Sequence, residues 1–344
     1  MKNKGIDNKE IDNIVASMKK DLGFGTMGKM GDQNVSSRVN MYVSTGSTLL
    51  DEAIGKGGGI PIGRITELSG KSATGKSAFC YAILGNVQKM GGVGVLLDTE
   101  SAADPDFAAT LGVDVDRLIV SQPDSIEDLY NQTFNLITKI RETISPDTPV
   151  VICADSCVPP SKAEIEKTLT EPPKVAENAV MNRRALKKIV NEISIHNIAF
   201  VGINHLVANP LAMYGPKEIS TGGSAWSYFP SIRIKLRTAE VLSSKVKGVP
   251  EGIRMQATIV KNRLGPPGKE VLTSLYYDRG IDDVDSLLYF AKQNGVFGTS
   301  KGWLEYEGKK YRQDALTKHF TEDEEGFVWL KDRCLSLIRT PEAA

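Results

Sequence analysis

The residues Gly70-Lys71-Ser72-Ala73-Thr74-Gly75-Lys76-Ser77 follow the spacing GxxxxGK[ST]. Glycines in such a loop let backbone N–H groups wrap a phosphate. The lysine, Lys76, reaches the β- and γ-phosphates, and the hydroxyl of Ser77 can hold Mg²⁺. A second cluster is Val150-Val151-Ile152-Cys153-Ala154-Asp155, an apolar run ending in a carboxylate. It would set Asp155 beside the metal, at the C-terminal edge of a strand. A third is Asp98-Thr99-Glu100, which follows the apolar stretch Val93–Leu97. Hydrolysis needs a carboxylate that positions or deprotonates the attacking water, and either acid meets that chemistry. These groups predict binding of a nucleoside triphosphate with Mg²⁺. They leave open what the energy drives.

The elements that must position these groups are legible in the apolar pattern. Ile65–Leu68, Val93–Leu97, Leu118–Val120, Val150–Cys153 and Ile198–Ile203 read as short, buried parallel strands. Helical patterns lie between them, as in Ser77–Met90 and Ile126–Arg141. This alternation predicts an α/β fold, a mostly parallel sheet with helices on both faces. Ile232–Leu236 and Arg254–Val260 read as added strands. The phosphate loop follows a strand and opens a helix, the context its motif requires. Before the core, Ile11, Ile14, Val15 and Met18 recur at helical spacing, and Gly23–Gly28 breaks that helix. After about residue 285 the pattern is helical again, around a polar hairpin at Trp303–Tyr311. The expected divisions are 1–35, 36–284 and 285–344.

Composition narrows the class. The 344 residues are 41% apolar and 24% charged, as in globular chains. No apolar run approaches the roughly 18 residues that cross a bilayer, and Met1-Lys2-Asn3-Lys4 does not open a signal peptide. A cytoplasmic location is expected. Cys80, Cys153, Cys157 and Cys334 form no CxxC pair, so idle buried thiols are expected rather than a zinc site. The formal net charge is zero, yet from Lys217 to Arg263 nine basic residues face three acidic ones. That stretch is either a solvated sheet edge or a polyanion contact.

These motifs sit within a longer ordered run. Ser44-Thr45-Gly46-Ser47, Gly58-Gly59-Ile60-Pro61-Ile62-Gly63-Arg64, the phosphate loop, Asp98-Thr99-Glu100 with Asp104-Pro105, Ser121-Gln122-Pro123-Asp124 and Lys162-Ala163-Glu164-Ile165-Glu166 resemble successive signatures of the bacterial RecA family. Several departures point to a diverged or phage-encoded member, which would work in a host cytoplasm. The resemblance implies a RecA-like P-loop ATPase core with an N-terminal helix and a small α+β C-terminal lobe. It implies an ATP-dependent recombinase that forms a helical filament on single-stranded DNA and pairs it with homologous duplex. Partners would be single- and double-stranded DNA, further copies of the chain, and single-strand-binding and loader proteins.

The resemblance also assigns roles. Glu100 would activate the water, and Asp104 and Phe107 would contact adenine. Asn204-His205 stands where the family commonly has Asn-Gln, so His205 would sense the γ-phosphate. Lys261 and Arg263 would reach the phosphate of the neighbouring subunit, and Arg233 would also cross that interface. Two DNA loops are expected, at about 165–182 and 206–226. The second would hold DNA through Ser220, Thr221, Gly222, Gly223 and Ser224, with Tyr214 stacking on bases. Trp226 could wedge between bases or pack in the core. Val207 replaces an expected basic residue, and Glu171-Pro172-Pro173-Lys174 departs from the family in the first loop. Arg183 and Arg184 would begin the following helix and face phosphates. The C-terminal lobe would gather duplex DNA through Lys301, Lys309 and Lys310. The chain ends at Pro341-Glu342-Ala343-Ala344 without the family's acidic tail, so inhibition by one is not expected. Two other readings of the fold are a hexameric helicase-type motor and a non-catalytic recombination mediator.

Overall fold

In a computed structural model the described residues are 7–22, 27–30, 39–55, 58–167, 175–209, 218–243, 248–300 and 302–339. The chain forms two compact units, Met1–Asn40 and Met41–Ala344. In the first, helix α1 (Asn8–Leu22) carries Asp12, which pairs with Lys29 at 2.6 Å.

The second unit runs β1 (Tyr42–Val43), α2 (Thr48–Ile54), β2 (Ile60–Pro61), β3 (Ile65–Gly70), α3 (Lys76–Lys89), β4 (Val93–Asp98), α4 (Pro105–Thr110), β5 (Ile119–Ser121), α5 (Ile126–Thr143), β6 (Val150–Asp155), α6 (Lys162–Ile165), α7 (Val175–Ile195), β7 (Ile198–Ala208), β8 (Glu218–Ser220) and α8 (Ala225–Tyr228). It continues with β9 (Ile232–Ser243), β10 (Pro250–Asn262), β11 (Glu270–Tyr276), β12 (Gly280–Asp282), α9 (Asp283–Gln293), β13 (Gly298–Ser300), β14 (Trp303–Tyr306), β15 (Lys309–Tyr311), α10 (Gln313–Glu322) and α11 (Glu324–Arg339).

Among the described residues one sheet orders its strands β12-β11-β10-β9-β3-β7-β6-β4-β5, and β8 pairs with β7. The run from β9 to β5 is parallel, as the alternating pattern predicts. β10, β11 and β12 extend it antiparallel. Side chains of a strand alternate between faces, and β6 shows the result. Val151 and Cys153 join one apolar core with Phe79, Ile83 and Leu84 of α3. Val150, Ile152 and Ala154 join the other, with Ile126 and Leu129 of α5 and Leu186 and Ile189 of α7. Helix α5 is fixed at its start by Ser125, whose hydroxyl accepts from the Asp128 amide at 3.1 Å. All four cysteines are free and buried. Among the described residues no helix is long and apolar enough to cross a membrane.

Three expectations change and one open reading is decided. Leu118–Val120 was expected to be a buried strand. β5 instead forms the sheet's edge, leaving Ile119 and Val120 41% and 48% exposed. An apolar run does not report which strand lacks a second neighbour. β7 runs past Ile203 to Ala208 and folds back on β8, so the segment read as a loop has a paired stem. Arg183 and Arg184 do not begin a helix. They lie exposed in the middle of α7, which starts at Val175. Trp226 is fully buried against Phe200, which removes it as a base wedge. Tyr214, Lys301, residues 171–174 and the chain end fall outside the described residues, while Lys309 and Lys310 are exposed on β15.

Candidate functional site

β3 ends at Gly70 and α3 begins at Lys76, so residues 71–75 form the turn between them. Gly75 sits at φ +85°, and a Cβ there would lie 2.0 Å from the Met255 sulfur. Only glycine takes this backbone without strain. No side chain caps α3, so its first amides stay available to an anion. Lys76 is buried, and its Nζ donates to the Lys71 carbonyl at 2.7 Å. Burial lowers the pKa of Lys76, against the opposing pull of Asp155 and Glu100.

Asp155, at the end of β6, accepts from the Ser77 hydroxyl at 2.6 Å. Burial raises its pKa, and the Ser77 hydrogen bond opposes that rise. One hydroxyl and one carboxylate, brought together beside a phosphate loop, suit Mg²⁺, which keeps waters and phosphate oxygens for its other positions. No group of three or more potential His, Cys, Asp or Glu ligands occurs among the described residues, so these offer no complete cage. The cavity here is about 270 Å³ and is lined by the loop, Glu100, Phe107, Asp155 and His205. Ile253, Leu275 and Tyr277 complete its wall. Those three were missed in the sequence because they come from β10, β11 and the turn after it. The aromatic pair Tyr276-Tyr277 at a strand end was the only local signal.

The structure separates the two acids of Asp98-Thr99-Glu100. Asp98 is buried and accepts from the amides of Glu100 and Ala103 at 3.2 and 2.9 Å. It shapes the turn. The Thr99 amide donates to the Asp155 carbonyl at 2.8 Å, which stitches the end of β4 to that of β6. Glu100 is thereby turned into the cavity, with its Oε1 2.9 Å from His205 Nε2. Asp104 caps α4 by accepting from the Phe107 amide at 2.7 Å. Phe107 meets Tyr81 edge-on at 6.0 Å.

The strand that carries His205 leads into the hairpin. Thr221 donates its amide to the His205 carbonyl at 3.1 Å and its hydroxyl to Asn204 Oδ1 at 2.6 Å. Asn204 Nδ2 donates to Glu67 Oε1 at 3.0 Å and to the Thr221 carbonyl at 3.2 Å. Glu67 is wholly buried in β3 and ion-paired with Arg233, which also donates to Ser220 Oγ at 3.2 Å. Sequence reasoning missed Glu67 as well. A carboxylate inside the apolar run of β3 was the signal, because such a group is rarely buried without a partner. Gly222 and Gly223 both take positive φ, +79° and +80°, and turn the chain toward α8. Asn182 supports this turn by donating to the Gly222 carbonyl at 3.2 Å. Ser224 is exposed beside it.

Lys261 and Arg263 stand elsewhere. Lys261 lies opposite Arg233, and Arg233 opposite Glu67, while Gly70 lies opposite Leu236. They are therefore about three residues, or ~10 Å, back from the phosphate end of β3. Lys261 Nζ donates to the Tyr228 and Ser227 carbonyls at 2.6 and 3.1 Å, and Arg263 donates to the Tyr228 carbonyl at 3.1 Å. Burial, then Arg263 and Arg233, push Lys261 down to about 8. Neither cation lines the cavity of its own chain.

A family model described as the RecA N-terminal domain matches residues 9–282. The chain is 35% identical over 320 residues to Protein RecA of Symbiobacterium thermophilum, covering 90% of this chain and 88% of that one. It is 34% identical over 303 residues to Protein RecA of Bifidobacterium breve, covering 88% and 74%. Against Protein RecA of Staphylococcus aureus the identity is 33% over 305 residues, covering 89% and 84%.

Proposed function

The chain belongs to the RecA family, and from that premise we propose that it is an ATP-dependent homologous recombinase acting in DNA recombination and repair. It assembles as a helical filament on single-stranded DNA, pairs that strand with homologous duplex, and hydrolyses ATP in a DNA-dependent way. The observation that carries this reading is the 2.9 Å contact between Glu100 and His205. It joins the carboxylate of the phosphate cavity to the strand that supports the Ser220–Ser224 turn.

In this mechanism the α3 amides and Lys76 hold and neutralise the phosphates of ATP. Ser77 and Asp155 hold Mg²⁺, which would supply charge neutralisation on the phosphate oxygens. Glu100 orients the attacking water and takes its proton. Phe107, with Asp104 at the head of α4, receives the base. His205 reads the phosphate end and transmits its state through Asn204 and Thr221. Lys261 and Arg263 serve the phosphates of the neighbouring subunit. Residues Ser220–Ser224 contact the DNA backbone, with Arg183 and Arg184 on α7 as further phosphate contacts. Such contacts carry no sequence preference, so homology is read by base pairing.

The test measures ATPase rate with and without single-stranded DNA, strand exchange, and filaments by electron microscopy. Wild type is expected to be stimulated by DNA and to form filaments. Glu100→Gln should lose about 100-fold or more in stimulated rate while still binding ATP. No stimulation together with no filaments would overturn the proposal.

A further inference from the structure

Lys71 makes a contact that the phosphate-loop motif does not call for. Its ammonium lies 3.0 Å from Glu218 Oε1. The other oxygen of Glu218 takes Lys235 Nζ at 2.8 Å. Glu218 opens β8, the return strand of the hairpin that leads to the Ser220–Ser224 turn. Meanwhile the Lys71 carbonyl accepts from Lys76 Nζ at 2.7 Å and from Thr74 Oγ1 at 2.9 Å. One residue is thus held through its backbone by the phosphate-binding lysine, and through its side chain by the hairpin.

We propose that Lys71 and Glu218 form an ion-pair latch by which phosphate in the loop sets the hairpin's hold on single-stranded DNA. The inference rests on the reading of the chain as a DNA-coupled ATPase, and adds a route separate from the Glu100–His205 contact. Two physical effects act in the same direction. A bound phosphate draws Lys76 Nζ to itself, which leaves the Lys71 carbonyl held by Thr74 Oγ1 alone. Its negative charge also competes with Glu218 for the Lys71 ammonium. Both weaken the latch, and Glu218 keeps Lys235 as its remaining partner. Lys235 and Lys71 hold the Glu218 carboxyl below the usual range, so it stays charged through this exchange. Lys71 and Glu218 are positioning residues in this scheme. By linkage, DNA that moves the hairpin must change nucleotide affinity by the same factor.

The test uses the full chain and a labelled oligo(dT), with and without saturating ATPγS. The quantity read is the ratio of the two DNA affinities. Glu218→Gln also removes a negative charge near DNA, which raises both affinities alike and cancels in the ratio. The ratio is expected to fall about two- to fivefold in Glu218→Gln and in Lys71→Met, the size expected of an exposed ion-pair network. The double variant should fall no further than Glu218→Gln, because that change already breaks the Lys71–Glu218 pair. An unchanged ratio in Glu218→Gln, or effects that add in the double variant, would sink the latch while leaving the ATPase reading intact. If ATPγS leaves wild-type DNA affinity unaltered, there is no coupling for a latch to carry and the latch fails, while the ATPase reading stands or falls on DNA stimulation and filaments.

Discussion

Replacing Glu67 by Leu removes the buried anion at the junction of β3 and the β7–β8 hairpin. The carboxylate is wholly buried, and its partner Arg233 keeps a side-chain exposure of only 19%. Without Glu67, the guanidinium retains Ser220 Oγ at 3.2 Å, and Asn204 Nδ2 retains the Thr221 carbonyl at 3.2 Å. Leaving one member of a buried ion pair uncompensated costs about 3–5 kcal/mol. Glu67→Leu should therefore lower the urea midpoint by that free energy divided by an unchanged m-value. Glu67→Leu with Arg233→Met should recover most of the loss, since an apolar pair of similar volume replaces a buried ion pair at little cost. The Thr221 amide, which donates to the His205 carbonyl at 3.1 Å, should exchange faster with deuterium in the single variant. A loss under about 1 kcal/mol in Glu67→Leu, or additive losses in the double variant, would refute the claim that this pair organises the hairpin base.

Burial raises Asp51 to about 6, against hydrogen bonds from Ser44 and Thr45. A carboxyl whose folded pKa lies above its unfolded value contributes stability below about pH 4 that is lost as pH rises through 6, here about 3 kcal/mol. Urea unfolding of wild type and Asp51→Asn should diverge by that amount between pH 4 and pH 7, in favour of the variant at the higher pH, and a constant difference would dismiss the assignment. His205→Ala removes the contact with Glu100 Oε1 at 2.9 Å and should abolish DNA stimulation of the ATPase, whereas stimulation that survives would exclude His205 as the sensor. Lys76→Ala subunits and Lys261→Met/Arg263→Met subunits should each be inactive alone. Mixed in equal amounts they should recover about a quarter of wild-type ATPase, because random head-to-tail contacts pair the two intact halves that often, whereas no recovery would refute sharing of the site between subunits.

The phosphate loop, Asp155 and the parallel strands were legible because each is written in a short stretch of chain. Positions 70–77 carry their own backbone requirements, and Val150–Asp155 carries its own burial. Residues whose role depends on a distant partner were harder to read. Glu67 looks like a stray charge until Arg233, 166 positions later, is set beside it. Asp98 and Glu100 have the same chemistry. What separates them is that β4 ends level with β6, Asp98 beside Asp155, so that the next turn swings only Glu100 into the cavity. The pairing of β7 with β8 was hidden for the same reason, since a three-residue strand has no period of its own. Trp226 had two readings from sequence, and the choice between them rests on Phe200, which packs against it from β7.

Strand register also explains why Lys261 and Arg263 do not line the cavity of their own chain. The loop amides, Glu100 and His205 all lie at the C-terminal ends of parallel strands, where ligands bind in open α/β sheets. β10 runs against that direction, so its end at Asn262 returns to the level where β3 begins. Lys261 and Arg263 are thereby carried away from their own cavity. Burial there, and then the like charges of Arg263 and Arg233, push Lys261 down to about 8. Among the described residues neither cation has an acidic side chain within ion-pair distance, and both lean on the carbonyl of Tyr228, which is 67% exposed. A cluster of this kind is stabilised by an anion that arrives from outside the chain. In the proposed function a neighbour's phosphates supply one, through a contact between two different surfaces that repeats as a filament when its rotation does not close.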